Sequence, residues 1–226
     1  MCVMIVAAHP DDEVLGCGGT IPKLVDANHD VHIAIMGEGV TSRYDQPESA
    51  DPSLVDDLQS CSMQVAKLLG ARSVRCLGLP DNRFDTVALL DVVKHIERLI
   101  EEFRPSIIYT HHPGDLNIDH AITFRAVLTA TRPTTGSSVR EIFAFEVASA
   151  TDWAFNQFRP FRPNVFTDVS GTIEAKLTAL KLYESEVRSF PHPRSFEALR
   201  ATAQRWGSIA GYDYAEAFEL VRSLRS

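Results

Sequence analysis

Residues 2–13 read CVMIVAAHPDDE, in which a continuous apolar run passes directly into a polar turn. The run at 2–8 is rich in β-branched residues, a pattern typical of a strand buried on both faces of a parallel sheet. Pro10 cannot extend such a strand, so we expect the chain to turn where the strand ends. Because open α/β sheets bind ligands at the carboxyl ends of their strands, we expect the chemistry at this corner.

The polar turn carries side chains that bind metals or transfer protons. His9 and Asp12 are three residues apart in a tight turn, so their side chains can converge on one ion while Asp11 points elsewhere. Glycines at 16, 18 and 19 follow and let the backbone approach a bound group. The alternative is a turn that caps a helix, with Asp11 or Asp12 as the N-cap. The adjoining imidazole favours ion binding over a cap alone.

Apolar and helical patterns alternate along most of the chain. Strand-like runs occur at 2–8, 31–37, 74–78, 106–111 and 139–148, and helical periodicity occurs at 53–70, 86–103 and 119–131. This alternation predicts a Rossmann-like, three-layer α/β fold with a mostly parallel sheet flanked by helices.

The C-terminal third follows a less regular pattern. Beyond 160–163 we predict an edge strand at 164–170, a helix at 171–187 and helices in the last forty residues that cover the open end of the sheet. No linker or repeat divides the chain. We therefore predict a single domain over 1–226, with an α/β core at 1–150 and a C-terminal strand and helices at 151–226 that cover the active-site edge.

The composition of the chain argues against some classes of binding partner. The chain has 226 residues and a formal net charge of -8, which argues against broad binding to nucleic acid or anionic membranes and favours a small-molecule or neutral substrate. The N-terminal apolar run is too short for a secretory signal, and no apolar span reaches about 18 residues. The four cysteines lack metal-binding spacing and fit reduced thiols inside a cell. We expect a cytoplasmic protein with no nucleic-acid partner and no membrane span; the sequence leaves a homo-oligomer open.

A second cluster, THHPGDLNIDH at 110–120, follows the fourth predicted strand and holds three of the eight histidines. Both clusters leave parallel strands at the same edge, so folding could bring His9, Asp12 and His120 together. Three protein ligands leave a fourth position for water, which is the pattern of a catalytic zinc site. Asp11 could then act as general base. For the strand-end histidines at 111 and 112, the alternative is hydrogen bonding to backbone groups.

The sequence HPDDE at 9–13, with the later Asp119-His120, resembles the PIG-L/LmbE family of zinc-dependent N-deacetylases. The resemblance covers residues 2 to about 135. It implies a Rossmann-like fold that hydrolyses an N-acyl group, most often the acetyl group of an N-acetylglucosamine-type sugar. By position, His9, Asp12 and His120 match the metal ligands for Zn²⁺, with another divalent metal left open. Asp11 matches the base, and Asp119 matches a carboxylate that orients a neighbouring catalytic histidine.

Asn117 departs from the family pattern, because many members carry a histidine three residues before the last metal ligand, where it stabilises the oxyanion. Asparagine can still donate an N–H to an oxyanion, and loss of one such donor elsewhere costs about 3–4 kcal/mol. It cannot protonate a leaving amine, so that role would fall to His111, His112 or His192, or to Asp11 acting first as base and then as acid. A different acyl substrate is another option. The alternative for Asn117 itself is a loop residue in the left-handed conformation.

Several polar residues follow the predicted strands at the active edge. The predicted substrate contacts are Arg43, Asn82, Arg83, His112 and His192. The guanidinium of Arg43 can bind sugar hydroxyls, phosphate or carboxylate, although a solvated loop arginine is the alternative. His192 lies between two prolines in a stiff loop, which suits a pocket wall or a plain connection between helices.

The residues and the resemblance together predict a metal-dependent hydrolase. We expect it to remove an N-acyl group, with acetyl expected, from an amino-sugar-containing small molecule or glycoconjugate. One alternative is an amidase acting on a non-sugar or thiol conjugate. Another is a non-catalytic module that binds a metal or a nucleotide. Against nucleotide binding, the first turn lacks G-x-G-x-x-G, and its acidic run would repel a pyrophosphate.

Overall fold

The strands of the computed structural model, which describes residues 1–46 and 49–225, form one seven-stranded sheet. They are β1 (Cys2–Ala7), β2 (Asp30–Gly37), β3 (Ser73–Leu79), β4 (Ile107–His111), β5 (Glu141–Phe145), β6 (Val165–Asp168) and β7 (Ala215–Ser223). Their order across the sheet is β3-β2-β1-β4-β5-β7-β6. The first five strands are parallel, and β7 is antiparallel to both of its neighbours.

Helices cover both faces of this sheet. They are α1 (Asp12–Cys17), α2 (Thr20–Asp26), α3 (Pro52–Leu68), α4 (Leu89–Phe103), α5 (Ile118–Ala130), α6 (Ile173–Lys181) and α7 (Phe196–Ala210). Val3 and Ile5 of β1 belong to a hydrophobic cluster with side chains of α3 and α6. Met4 and Val6 belong to a second cluster with side chains of α4 and α5. Because β1 is buried on both faces, the predicted three-layer α/β fold is confirmed.

Most predicted elements correspond to observed ones. The predicted helices at 53–70, 86–103 and 119–131 are α3, α4 and α5, although α4 begins only at Leu89, after a 3-10 turn at Phe84–Thr86. The predicted edge strand at 164–170 is β6, which does lie at the edge of the sheet. The predicted helix at 171–187 is the shorter α6.

The prediction that the last forty residues are all helical is wrong. They contain α7, but β7 follows it and pairs with β5 on one side and β6 on the other. Glu216 and Glu219 interrupt the apolar pattern of β7, yet both are buried. Their ionic partners, Lys176 and Arg159, are distant in the sequence. The pattern of apolar residues in Ala215–Ser223 therefore does not indicate a strand.

The strand β7 also joins the apolar core. Tyr109 of β4 stacks on Phe143 of β5 at 5.0 Å between ring centroids and meets Phe218 of β7 edge-on at 5.0 Å. One hydrophobic cluster thus contains side chains from both 1–150 and 151–226. Within the described residues, no helix combines the length and the apolar character needed to cross a bilayer.

A buried ion pair connects β7 to the helices on one face of the sheet. Lys176 Nζ donates to Glu216 Oε1 at 2.6 Å and to the carbonyl of Leu15 at 2.7 Å. The backbone N–H of Gly19 donates to Glu216 Oε1 at 3.0 Å. The N–H and hydroxyl of Thr20 donate to Oε2 at 2.7 Å and 2.6 Å. With both carboxylate oxygens hydrogen-bonded, this pair links β7, α2 and α6.

We expect Glu216→Ala to lower the free energy of unfolding by about 3–5 kcal/mol, because it leaves the Lys176 ammonium charged and buried without its partner. Urea denaturation followed by circular dichroism measures this change. The control is Glu174→Ala, which removes an exposed carboxylate paired with Arg200 and should have little effect. Equal losses in the two variants would contradict the importance of the buried pair.

Candidate metal centre and active site

Three buried side chains converge at the carboxyl ends of β1 and β4. His9 follows β1, Asp12 begins α1, and His120 lies in the first turn of α5. Asp12 Oδ2 is 3.3 Å from His9 Nδ1 and 3.2 Å from His120 Nε2. The structure therefore brings together the three residues that the sequence analysis predicted as metal ligands.

The donor atoms of this cluster fit a divalent metal. One ligand atom from each of the three residues lies within 4.8 Å of the others. In the part of the chain that the structure describes, the buried Asp12 Oδ1 has no hydrogen-bond partner, and the 3.2 Å contact of His120 Nε2 with Asp12 Oδ2 does not have hydrogen-bond geometry. Buried polar atoms without a partner are uncommon and require an explanation. Two imidazole nitrogens and a carboxylate form a donor set that zinc accepts in catalytic sites.

Carboxylates lie against the other ring nitrogens of both histidines. His9 Nε2 is 2.9 Å from Asp119 Oδ2 and 3.4 Å from Asp81 Oδ1, and His120 Nδ1 is 3.0 Å from Asp115 Oδ2. Such outer carboxylates fix the orientation of metal-binding histidines and raise their basicity. The structure thus places Asp119 against His9, a predicted metal ligand. Asp81 and Asp115 were not predicted as site residues, although each belongs to a polar segment at a strand end.

The outer carboxylates also act on the histidine pKa values. Burial lowers the pKa of His9, but hydrogen bonds to Asp119 and Asp12 outweigh it and raise the pKa to about 10. Burial likewise lowers the pKa of His120, and the charges of Asp12 and Asp115 raise it to about 9. The carboxylates therefore create a potential at these rings that favours positive charge.

We expect Asp115→Ala to weaken metal binding by about 10–100-fold, because His120 loses the carboxylate that orients its ring. Competition against a chromophoric chelator measures the affinity. Asp85→Ala, which removes an exposed carboxylate from a nearby turn, should leave the affinity unchanged. An unchanged affinity in Asp115→Ala would contradict this orienting role.

Asp11 adopts a strained backbone conformation. Its φ is 104°, in the left-handed region, which costs a residue other than glycine about 1–3 kcal/mol. Glu13 holds the turn, since its Oε2 accepts from the Asp11 N–H at 3.1 Å and its Oε1 accepts from the Tyr183 hydroxyl at 2.7 Å. Asp11 precedes α1, but its side chain makes no capping hydrogen bond, so it is not a conventional side-chain N-cap.

The Asp11 carboxylate is buried beside an arginine that the sequence analysis missed. Arg194 Nη1 is 2.6 Å from Asp11 Oδ2 and 3.3 Å from Glu186 Oε2. Burial raises the pKa of Asp11 above its usual range; Arg194 opposes this shift, and the charge of Asp12 adds to it. Arg194 lies in the proline-containing loop that the sequence analysis singled out for His192. The stiffness of this loop indicated a place near the site, but the residue of the loop that contacts Asp11 is Arg194 rather than the predicted His192.

A cavity of about 400 Å³ opens beside the cluster. It is lined by Asn82, Leu116, Asn117, Ile118, His120, Ser149, Ala150 and Arg194. A cavity of this size accommodates a small-molecule ligand. A second cavity, of about 310 Å³, lies beneath α7 and includes none of the three clustered residues. We therefore assign the candidate active site to the first.

Asn117 lines this cavity as the N-cap of α5. Its Oδ1 accepts from the Asp119 N–H at 2.9 Å, and its Nδ2 donates to Asn82 Oδ1 at 2.8 Å. Its φ is -73°, so the left-handed alternative for this residue is wrong. Asn82 in turn donates to Asp81 and to the hydroxyl of Ser42.

The other predicted substrate contacts have different positions. Arg43 is partly exposed and pairs with Glu186, which also contacts Arg194. Arg83 is exposed and does not line the cavity beside the cluster. His192 packs edge-on against Trp153 at 5.1 Å between ring centroids, and its Nδ1 accepts from the Arg194 N–H at 3.1 Å.

His112 is not brought to the candidate site. Its ring is buried, with Nε2 2.7 Å from the carbonyl of Arg159 and Nδ1 3.4 Å from Glu219 Oε2. His111 is buried too, and its Nε2 accepts from the Ala8 N–H at 2.7 Å. Both therefore correspond to the alternative of strand-end histidines bonded to backbone groups. The structure does not support His112 as a substrate contact.

Comparison with known proteins identifies related sequences. The family described as "PIG-L: GlcNAc-PI de-N-acetylase" matches residues 4–131. Diacetylchitobiose deacetylase of Thermococcus kodakarensis is 27% identical over 232 residues, covering 97% of this chain and 82% of the relative.

Solved structures share the fold. N,N'-diacetylchitobiose deacetylase from Pyrococcus horikoshii has a TM-score of 0.77 and 20% identity, covering 98% of this chain and 84% of that one. The 4-carboxy-2-hydroxymuconate hydratase from Pseudomonas putida KT2440 has a TM-score of 0.75 and 19% identity, covering 100% of this chain and 98% of that one. Because a deacetylase and a hydratase both share this architecture, the reaction has to be argued from the site.

Proposed function

Because this chain belongs to the PIG-L family of de-N-acetylases, we propose that it is a zinc-dependent deacetylase that removes an N-acetyl group from an amino-sugar-containing small molecule or glycoconjugate. The observation that carries the proposal is the convergence of His9, Asp12 and His120 beside a cavity, with Asp11 next to them. The metal ligands, the base and the substrate class together form this proposal.

The three converging residues would hold the metal. A bound Zn²⁺ supplies a Lewis acid that polarises the amide carbonyl and makes water more acidic. Asp119 and Asp115 hold the rings of His9 and His120, so that the two histidines keep their orientation through the reaction. The burial of the cluster limits competing water.

Asp11 moves the proton in this proposal. The water oxygen bonds to the carbonyl carbon while Asp11 accepts its proton, and the carbonyl electron pair moves to oxygen. That pair then re-forms the carbonyl as the C–N bond breaks, and the nitrogen takes the proton from Asp11. The products are a free amine and acetic acid, which ionises to acetate by releasing its proton to the solvent. Asp11 is preferred as the acid because Asn117 has no acidic proton and His112 is buried against the carbonyl of Arg159. His111 stacks on His120, but its Nε2 accepts from the Ala8 N–H and so has no proton to give.

The substrate class and the location rest on separate observations. The amide groups of Asn82 and Asn117 line the cavity and are suited to sugar hydroxyls. A relative named for diacetylchitobiose matches nearly the whole chain. We also propose a cytoplasmic location, which the four unpaired cysteines favour, because thiols stay reduced inside cells.

The test is an amine-release screen with metal-loaded protein. The panel contains N-acetylglucosamine, diacetylchitobiose, and N-formyl and longer-chain N-acyl glucosamines. We expect amine and acetate in equal amounts from an acetylated sugar, loss of activity with a chelator, and its return with Zn²⁺. Stoichiometric zinc without amine release from any compound would instead favour a non-catalytic sensor. Tight dinucleotide binding without zinc would favour a nucleotide-binding module.

A further inference from the structure

Asn117 is poorly placed to stabilise an oxyanion. Its oxygen caps α5, and its nitrogen donates to Asn82. These contacts make the amide part of the cavity wall. One neutral N–H of Asn117 is then left for the charge that develops on the acyl oxygen, so a charged donor that lines the same cavity would stabilise that charge more strongly.

Arg194 lines the same cavity and is held in place by its neighbours. Its Nε donates to Ser149 Oγ at 3.0 Å, and its Nη1 is held by Asp11 and Glu186. The side chain is 20% exposed, so it is largely withdrawn from water. A guanidinium has five N–H donors, and Nη2 makes no hydrogen bond to any residue in 1–46 or 49–225. Arg194 lines the same cavity as His120.

We propose that Arg194 is a catalytic residue whose guanidinium stabilises the oxyanion, the role for which Asn117 is poorly placed. The inference rests on the proposed function. When water adds to the amide carbon and Asp11 takes its proton, the carbonyl electron pair becomes a negative charge on oxygen. A fixed guanidinium donor in a site shielded from water stabilises that charge without reorganising. The charge returns to the carbonyl as the amine leaves.

Arg194 could instead act only through Asp11, by holding the base in place. The two roles make different predictions in an Asp11→Asn background. If Arg194 only positions the base, removing Arg194 causes no further fall in kcat when Asp11 has already been replaced. If it stabilises the oxyanion, its removal still slows the reaction.

The first measurement compares Arg194→Ala, Arg194→Lys and the control Arg188→Ala, which removes an exposed arginine of the same connection. We expect kcat to fall by about 10²–10³-fold in Arg194→Ala, with a much smaller change in KM. Arg194→Lys should recover part of the rate, because lysine keeps the charge but not the planar donors. Millimolar guanidinium chloride should partly restore the kcat of Arg194→Ala. Metal content should match the wild-type protein, whereas the melting temperature should fall, because Asp11 and Glu186 lose a largely buried ionic partner. Rates are therefore compared at a temperature at which both proteins are folded.

The second measurement adds Arg194→Ala to Asp11→Asn and uses an N-trifluoroacetyl amino sugar, whose activated carbonyl keeps slow rates measurable. We expect a further loss of at least about tenfold. A phosphonamidate that mimics the tetrahedral geometry should also bind Arg194→Ala at least about tenfold more weakly, whereas substrate binding changes little.

Two outcomes would overturn the proposal. One is an unchanged kcat in Arg194→Ala, and the other is no further loss in the Asp11→Asn background together with unchanged binding of the phosphonamidate. Failure of the proposed function is distinguishable from both, because the wild-type protein would then release no amine from any sugar.

Discussion

His120→Ala is expected to abolish both metal binding and deacetylation. The change removes one of three protein donors, and the two that remain, His9 and Asp12, cannot complete a catalytic site of the usual three-ligand kind. It also leaves Asp115 buried without the ring it contacts. Because a catalytic metal stabilises the transition state by several kcal/mol, kcat should fall by about 10³-fold or more.

The measurement is metal per chain by mass spectrometry after loading and desalting, together with amine release. His95→Ala is the matched control, since His95 lies on α4 and is not part of the cluster. It should retain the wild-type metal content and rate. Full metal occupancy in His120→Ala would remove His120 from the site and require a different ligand set.

Asp11→Asn should retain the metal but lower kcat by about 10²–10⁴-fold, the usual contribution of a general base. The amide has nearly the shape of the carboxylate, but it cannot take a proton from water. It also loses the ionic contact with Arg194. The metal-binding atoms of the neighbouring Asp12 are untouched, which separates this variant from a ligand substitution.

The measurement combines kcat, KM and metal content. Asp57→Asn, on an exposed position of α3, controls for loss of one negative charge and should behave as wild type. An unchanged kcat in Asp11→Asn would reject Asp11 as the base. Loss of metal together with loss of rate would show that the turn had been disrupted, and the assignment of the base would then lack support.

The first strand and its turn were predictable because their physical causes are local. An apolar run buried on both faces needs no distant partner to be recognised, and the strand-end rule places the ligands of a parallel sheet at one edge. That rule sufficed to bring His9 and Asp12 together with His120, although 108 positions separate Asp12 from His120 in the sequence.

The contacts of the loop residues were not predictable in the same way. Arg194 reaches Asp11 across 183 positions, and no periodicity or spacing encodes that contact. His111 and His112 illustrate a second limit. Successive residues of an extended segment point to opposite sides, so only the folded sheet decides which neighbours each ring meets.

The order of the strands across the sheet determines when each strand can find its partner during synthesis. Strands β1 to β5 can pair in a parallel sheet as soon as they are made. Among the residues that the structure describes, β6 pairs only with β7, which is synthesised after it. Until β7 arrives, β5 keeps an open edge of the kind that favours pairing between chains. A nascent chain that stops before residue 215 would therefore carry both predicted metal-binding motifs on an incomplete sheet that is prone to aggregate. In that chain Lys176 would also lack its ionic partner Glu216.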